Sequence, residues 1–227
     1  MAAVSQKTIR NQILSQLSPT DFVFFAPYLE AVDLPVPRQL ERGNKAITHA
    51  YFPDSGFASV VANGQGNRSI EVGLIGREGM TGVPVVLGAD RSPNETFMQL
   101  DGDGWRLPVA DLRRAMGRST TLVRSLLLYA HAFLRQVTQT ALSNGRSKLD
   151  ERLARWLLMA HDRVDSDELM LTHDFLATML GVRRPGVTVA LHLLERQGLI
   201  RVHRGIISLI DRKGLEELSN GAYTPEA

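Results

Sequence analysis

Two adjacent arginines, Arg183 and Arg184, open a stretch whose residue types suit a polyanion. Between Arg183 and Lys213 there are seven Arg or Lys and only two acids, Glu195 and Asp211. Phosphate binding follows local positive charge far more than the whole-chain balance, which is only +2 here. Thr188 and His192 follow Arg184 at a spacing of four, so in a helix they share a face with it. Arginine, threonine and histidine donate to base edges and phosphates. Arg204 stands before Gly205, where a hairpin would turn.

The elements that would carry these residues can be read from periodicity and punctuation. Thr172 precedes an apolar-periodic run and is expected to cap a helix at 173–180, with Phe175, Leu176, Met179 and Leu180 inward. Gly181 falls where the chain must turn sharply. Pro185 is tolerated in the first turn of a second helix, whose buried face would be Val187, Ala190, Leu191 and Leu194. Residues 199–203 and 206–210 read as a two-stranded hairpin. Helix, glycine turn, helix and small hairpin make a winged helix-turn-helix, with its second helix in the major groove of DNA. Arg183, Arg184, Thr188 and His192 are expected on the face opposite the core. Thr172 and Arg204 are expected beside the phosphates. The alternative is a helical hairpin used for packing or for binding a protein.

Upstream the character differs. Ile9, Ile13, Leu14 and Leu17 mark a first short helix, and Ser18-Pro19 opens a second with Phe22, Phe25, Tyr28 and Leu29. Strands are expected at 46–52, 56–62, 68–75, 83–87, 94–100 and 104–108. Turns at 53–56, 63–66 and 76–79 separate them, a spacing typical of an antiparallel barrel or sandwich. A short helix follows at 109–116, then a long one at 120–142, ended by a hinge at Asn144-Gly145. Leu127, Ala130, Leu134, Val137 and Ala141 form one apolar seam on the long helix. Leu122, Leu126, Tyr129 and Phe133 form another. One stripe could pack on the barrel and the other on a second copy of the chain, or the helix could be a core helix without a partner. A helix at 148–164 then carries Leu149, Leu153, Trp156, Leu157 and Ala160.

The segment from Leu171 to Lys213 resembles the DNA-binding domain of the CRP/FNR superfamily of bacterial regulators. The resemblance rests on Leu171-Thr172, Ala177, Leu180-Gly181-Val182, Val187–Leu191 and Leu194-Glu195 followed by Gly198-Leu199-Ile200. It extends, more weakly, through residues 30–108, where Gly43, Gly56, Gly79 and Gly82 match roll turns. It implies an α+β chain: an N-terminal antiparallel β-roll of the cyclic-nucleotide-binding-like jelly-roll type at 1–117, a long dimerisation helix at 118–145, a winged helix-turn-helix at 146–213 and a tail at 214–227. It further implies a homodimer on double-stranded DNA, with RNA polymerase as a further partner and an effector of unknown identity. It implies no enzyme activity.

Two departures narrow the expectation. Arg184 matches the first arginine of the family's base-reading set, but Pro185 stands for its glutamate and Val189 for its second arginine. The operator should therefore differ from the family's TGTGA-type half-site. In the roll, Gly79 and Gly82 fit an effector pocket, yet Val83-Pro84 follow where cyclic-nucleotide binders carry an acid. The phosphate-binding Arg-Ser falls near Asn94-Glu95, and Arg91-Ser92 lies a few residues early. A regulator without cyclic-nucleotide gating is the first expectation. A cAMP- or cGMP-responsive one with a shifted loop, or a DNA-binding protein without a ligand, are the alternatives.

Absent residues exclude other classes. With no cysteine there is no disulfide and no Cys-held iron–sulfur or zinc site. Only His49 lies in the expected roll, too few for a metal oxygenase of the cupin type, and no cofactor or metal is expected. No signal peptide or membrane span is read, so the cytoplasm is the expected location.

Overall fold

A computed structural model describes residues 4–64 and 69–224. The second half of the turn expected at 63–66, and the first residue of the strand expected at 68–75, lie outside the described residues. The chain divides into two compact units, Met1–Val60 with Ile75–Arg135, and Val61–Leu74 with Gln136–Ala227.

In the first unit, α1 (Gln12–Ser15) and α2 (Pro19–Phe25) each begin on a capping side chain. The Asn11 carbonyl oxygen accepts from Leu14 N at 3.2 Å, and its amide donates to the Pro53 and Gly79 carbonyls. Ser18 Oγ accepts from Asp21 N, with Pro19 in the first turn, where its missing N–H costs nothing. The strands before the long helix are β1 (Glu30–Leu34), β2 (Gln39–Glu41), β3 (His49–Pro53), β4 (Phe57–Asn63), whose second half is counted with the second unit, and β5 (Ser69–Ile75), almost wholly of the second unit, and after α3 (Val83–Val86) come β6 (Glu95–Leu100) and β7 (Gly102–Pro108). They form one sheet ordered β1-β7-β3 and another ordered β2-β6-β4-β5, with antiparallel pairing of β7 to both its neighbours. Phe25, Phe52, Met80, Leu107 and Leu112 fill the core, joined by Leu122 and Leu126.

The helix α4 (Val109–Met116) leads into α5 (Thr120–Arg146). Ser119 Oγ accepts from Leu122 N, and Thr121 Oγ1 donates to the buried Asp21 carboxylate at 2.7 Å, which ties the start of α5 to α2. Leu122 and Leu126 enter the roll's core, and Tyr129 Oη donates to the Met80 carbonyl at 3.0 Å. Gly79 lies so close to the Tyr129 ring that a Cβ there would collide with it.

In the second unit, α6 (Leu149–His161) precedes β8 (Glu168–Met170), α7 (His173–Met179), α8 (Arg184–Arg196), β9 (Ile200–His203), β10 (Ile206–Leu209) and α9 (Arg212–Leu218). Thr172 Oγ1 caps α7 by accepting from Phe175 N at 3.2 Å, and Asp211 caps α9 by accepting from Gly214 N at 2.9 Å. Leu153, Leu157, Leu176, Val187, Leu191, Leu194, Ile207 and Leu215 are buried together by the helices and the sheet ordered β8-β10-β9.

Several expectations are corrected. The strand expected at 83–87 is the short helix α3: Gly82 has φ +85°, and its carbonyl accepts from Val85 N and Val86 N, which winds the chain despite its valines. Pro84 is harmless in that first turn. The hinge expected at Asn144-Gly145 lies inside α5, because Gly145 does not take a positive φ and Ser147 N still donates to the Ser143 carbonyl. The strands β1 and β2 were not expected, and neither was β8, whose exposed–buried–exposed pattern spans too few residues to register as alternation. The tail expected from 214 is helical to Leu218.

Gly181 has φ +62°, and a Cβ there would come within 2.8 Å of Ile70 Cδ1. Both the backbone conformation and the space reject a side chain. Gly181→Ala should lower stability by about 1–3 kcal/mol, read as a lower urea midpoint with an unchanged slope; an unchanged midpoint would refute it.

Candidate nucleic-acid interface

The α7–α8 pair is built on local rules. Gly181 reverses the chain and Val182 N donates back to the Ala177 carbonyl at 2.9 Å. Arg183 takes extended backbone before α8, and Pro185 sits in the helix's first turn. Val187, Ala190, Leu191 and Leu194 are buried, which leaves the remaining faces of α8 exposed or half-buried.

The expected contact residues divide into an edge and a centre. Arg184 Nε lies 3.4 Å from the Asp174 carboxylate, and Thr188 Oγ1 lies 2.9 Å from His173 Nδ1. Arg184 and Thr188 therefore run along the edge of α8 turned toward α7, and not opposite the core as expected. His192 is exposed near the middle of the outer face. Arg183 is exposed just before the helix. Around these lie Val189, which stands where the family carries its second base-reading arginine, and Arg196, which was not expected there, both exposed. The 3.6-residue repeat could have found them, since each sits about half a turn from the Val187–Leu194 stripe.

The hairpin is as expected, with Ile206 facing His203 across its turn. Arg204 and Gly205 have φ +47° and +80°, the signature of a tight two-residue turn that twists with its strands. The Gly205 carbonyl accepts from Leu171 N at 2.9 Å, so the hairpin tip is tied to the chain entering α7. Arg204 and Thr172 are thereby held on the same connected stretch, both exposed. Thr172 uses its hydroxyl oxygen as the α7 cap.

On α5 the structure separates the two apolar stripes. Leu127 and Leu134 are 43% and 61% exposed, and Ala141 is exposed with them. Val137 is half-buried. Ala130 is only 6% exposed and belongs to the inner side, so the expected seam loses one member. Leu128 and Leu142 add exposed apolar surface that was not anticipated.

The residues expected to form an effector pocket each have partners of their own. Gly79 packs on Tyr129. Arg91 is exposed and paired with Asp90 at 3.0 Å. Ser92 is buried, and its hydroxyl accepts from Asn94 N at 3.1 Å. Gly82 N donates to Glu41 Oε1 at 2.5 Å, while Thr96 Oγ1 donates to Oε2 at 3.0 Å. Glu41, 7% exposed, was missed because it lies 41 residues from Gly82 in sequence. Among the described residues no three His, Asp or Glu side chains gather as a metal set, and no helix is long and apolar enough to cross a membrane.

Burial pushes the Glu41 carboxyl above its usual range, against the opposing pull of the Gly82 amide and the Thr96 and Thr81 hydroxyls. Its neutral form is thus favoured by folding. That contribution to stability is complete below the ordinary glutamate pKa and is lost as pH rises through the folded-state value. Glu41→Gln should therefore gain in Tm relative to the parent as pH rises above the ordinary glutamate range. Parallel melting profiles for the two chains would show that Glu41 carries no such linkage.

Residues 151–218 match the Crp-like helix-turn-helix domain. Over 78 residues the chain is 40% identical to the transcriptional regulator SdrP of Thermus thermophilus, covering 32% of this chain and 39% of that protein. The match thus spans well under half of that relative's length. A CRP/FNR-family regulator from Eubacterium rectale has a solved structure that aligns with a TM-score of 0.73 at 20% identity, covering 92% of this chain and 98% of that one. FixK2 from Bradyrhizobium japonicum aligns with a TM-score of 0.73 at 18% identity, covering 88% and 99%. The chain therefore has the fold of the CRP/FNR regulators and carries a Crp-like helix-turn-helix domain at residues 151–218.

Proposed function

We propose that this protein is a sequence-specific, DNA-binding transcriptional regulator that acts as a homodimer. The observation that carries this reading is the exposed face of α8, with Arg183, Arg184, Thr188 and His192, set beside a hairpin tipped by Arg204. A helix of that composition fits the major groove, and the hairpin tip and Thr172 flank it at phosphate level. The similarity to SdrP, a transcriptional regulator, supports the same reading.

The exposed Leu127, Leu134 and Ala141 on α5, with the half-buried Val137, supply the apolar stripe for a second copy. Pairing there would set two α8 helices on half-sites about one helical turn apart. Cyclic nucleotide is not the gate. The Gly82 amide is already engaged by Glu41, and Arg91 is already held by Asp90. Arg91, the arginine nearest the expected phosphate position, thus has an acid of the chain itself as its partner, and Glu41 already accepts from the Gly82 amide. A regulator of this class works on DNA in the bacterial cytoplasm, next to RNA polymerase.

Selection from random duplexes with the purified protein should return a two-fold symmetric site. Arg184→Ala should relax selection at one base pair per half-site and cost about 5- to 100-fold in affinity there. Arg204→Ala should weaken all duplexes alike and reduce the dependence of binding on salt by about one charge per half-site. Failure to enrich any sequence would overturn the regulator. Sedimentation as a monomer, unchanged by Leu134→Glu, would overturn the dimer. Micromolar, saturable binding of cAMP or cGMP in a calorimetric titration would overturn the gating claim.

A further inference from the structure

The centre of the presented face of α8 holds an apolar spot that the chain itself does not use. Val189 is 69% exposed, while Val187, Ala190, Leu191 and Leu194 already make the helix's buried face. A β-branched residue at an exposed helical position is a weaker helix former than Lys, Glu or Gln would be. Pro185, also exposed, lies one turn earlier on the same face, so the two make a contiguous patch. Arginines ring it: Arg184 on the edge toward α7, Arg196 further along the helix and Arg183 before its start, with His192 among them.

An apolar spot ringed by cations has a specific complement in duplex DNA. The major-groove edge of B-DNA carries hydrogen-bonding groups throughout and one apolar substituent, the C5-methyl of thymine. Phosphates border that groove on both sides, where the surrounding cations would meet them. We propose that Val189 is a specificity-determining residue that selects a T·A pair by packing against the thymine methyl, with Pro185 extending the contact. This rests on the reading of α8 as the groove-entering helix. It adds that one position of the half-site is chosen by shape and apolar contact, with no hydrogen bond from the protein.

Deoxyuridine differs from thymidine only by the missing methyl group. The test is a gel-shift titration on the selected operator, with each thymine of one half-site replaced in turn by deoxyuridine. The parent protein should lose about fourfold in affinity at one or two positions, the size expected for one buried methyl group. Val189→Ala should bind the thymine and deoxyuridine duplexes equally at those positions. Val189→Arg, used for a fresh site selection, should replace thymine by guanine there, since arginine donates to guanine O6 and N7. Circular dichroism and melting would confirm that both variants fold, as expected for an exposed site. A scan with no methyl-sensitive position, or a sensitivity that persists in Val189→Ala, would overturn this assignment while leaving DNA binding intact. A parent chain that binds no duplex would overturn both readings together.

Discussion

Between α7 and α8 the backbone must turn within four residues, Leu180 to Arg183. The chain meets that demand with Gly181 at φ +62°, followed at once by Val182 N donating to the Ala177 carbonyl. The close approach of Ile70 leaves no room for a Cβ at the turn. The crossing of α7 and α8 is thereby fixed, and with it the positions of Asp174 and His173 relative to Arg184 and Thr188. Other contacts brace the same corner. Arg152 Nη2 on α6 donates to the Leu180 carbonyl at the end of α7, where a cation also complements the helix dipole. Trp156 packs edge-on against Phe175 with centroids 5.7 Å apart, while its indole N–H donates to the buried Glu71 at 2.7 Å. A buried carboxylate receiving a strong hydrogen bond holds its partner's ring in one orientation, and that ring supports α7.

How legible each part was depended on how far apart its partners lie. The α7–α8 unit was readable because its instructions are local: a Thr cap, a glycine at the turn, a proline in the first turn and a four-residue apolar repeat all act within a few residues. The hairpin was readable for the same reason. The Glu41–Gly82 contact was not, because nothing near either residue announces the other. Valines at 83, 85 and 86 suggested a strand, and a single left-handed glycine overrode that propensity. Gly145 misled in the opposite direction. A glycine with ordinary helical backbone only weakens a helix, and α5 continues past it.

The long helix shows what periodicity alone cannot decide. Two apolar stripes on α5 look equivalent in sequence, and packing separates them. Leu122 and Leu126 are completed by Phe25, Met80 and Leu112 of the roll, whereas Leu127, Leu128 and Leu134 stay exposed. Ala130 is buried with the inner set at 6% exposure. Exposed leucines at 127, 128, 134 and 142, recurring about every two turns, give the outer stripe its interest as an assembly surface.

The presented face of α8 divides its work between held and free side chains. Arg184 and Thr188 are engaged by Asp174 and His173 before any partner arrives. The Arg184–Asp174 pair is well exposed and adds little to stability. Its effect is on orientation, since an arginine confined near one rotamer loses less entropy on meeting a base edge. The same acid also competes for the guanidinium, so a duplex must offer a better acceptor before Arg184 leaves it. Val189 needs no such arrangement, because its χ1 is already restricted and it has no polar group to satisfy. On the proposed reading of α8, polar selectivity would lie along the edge braced by α7, while the apolar centre of the helix is left open.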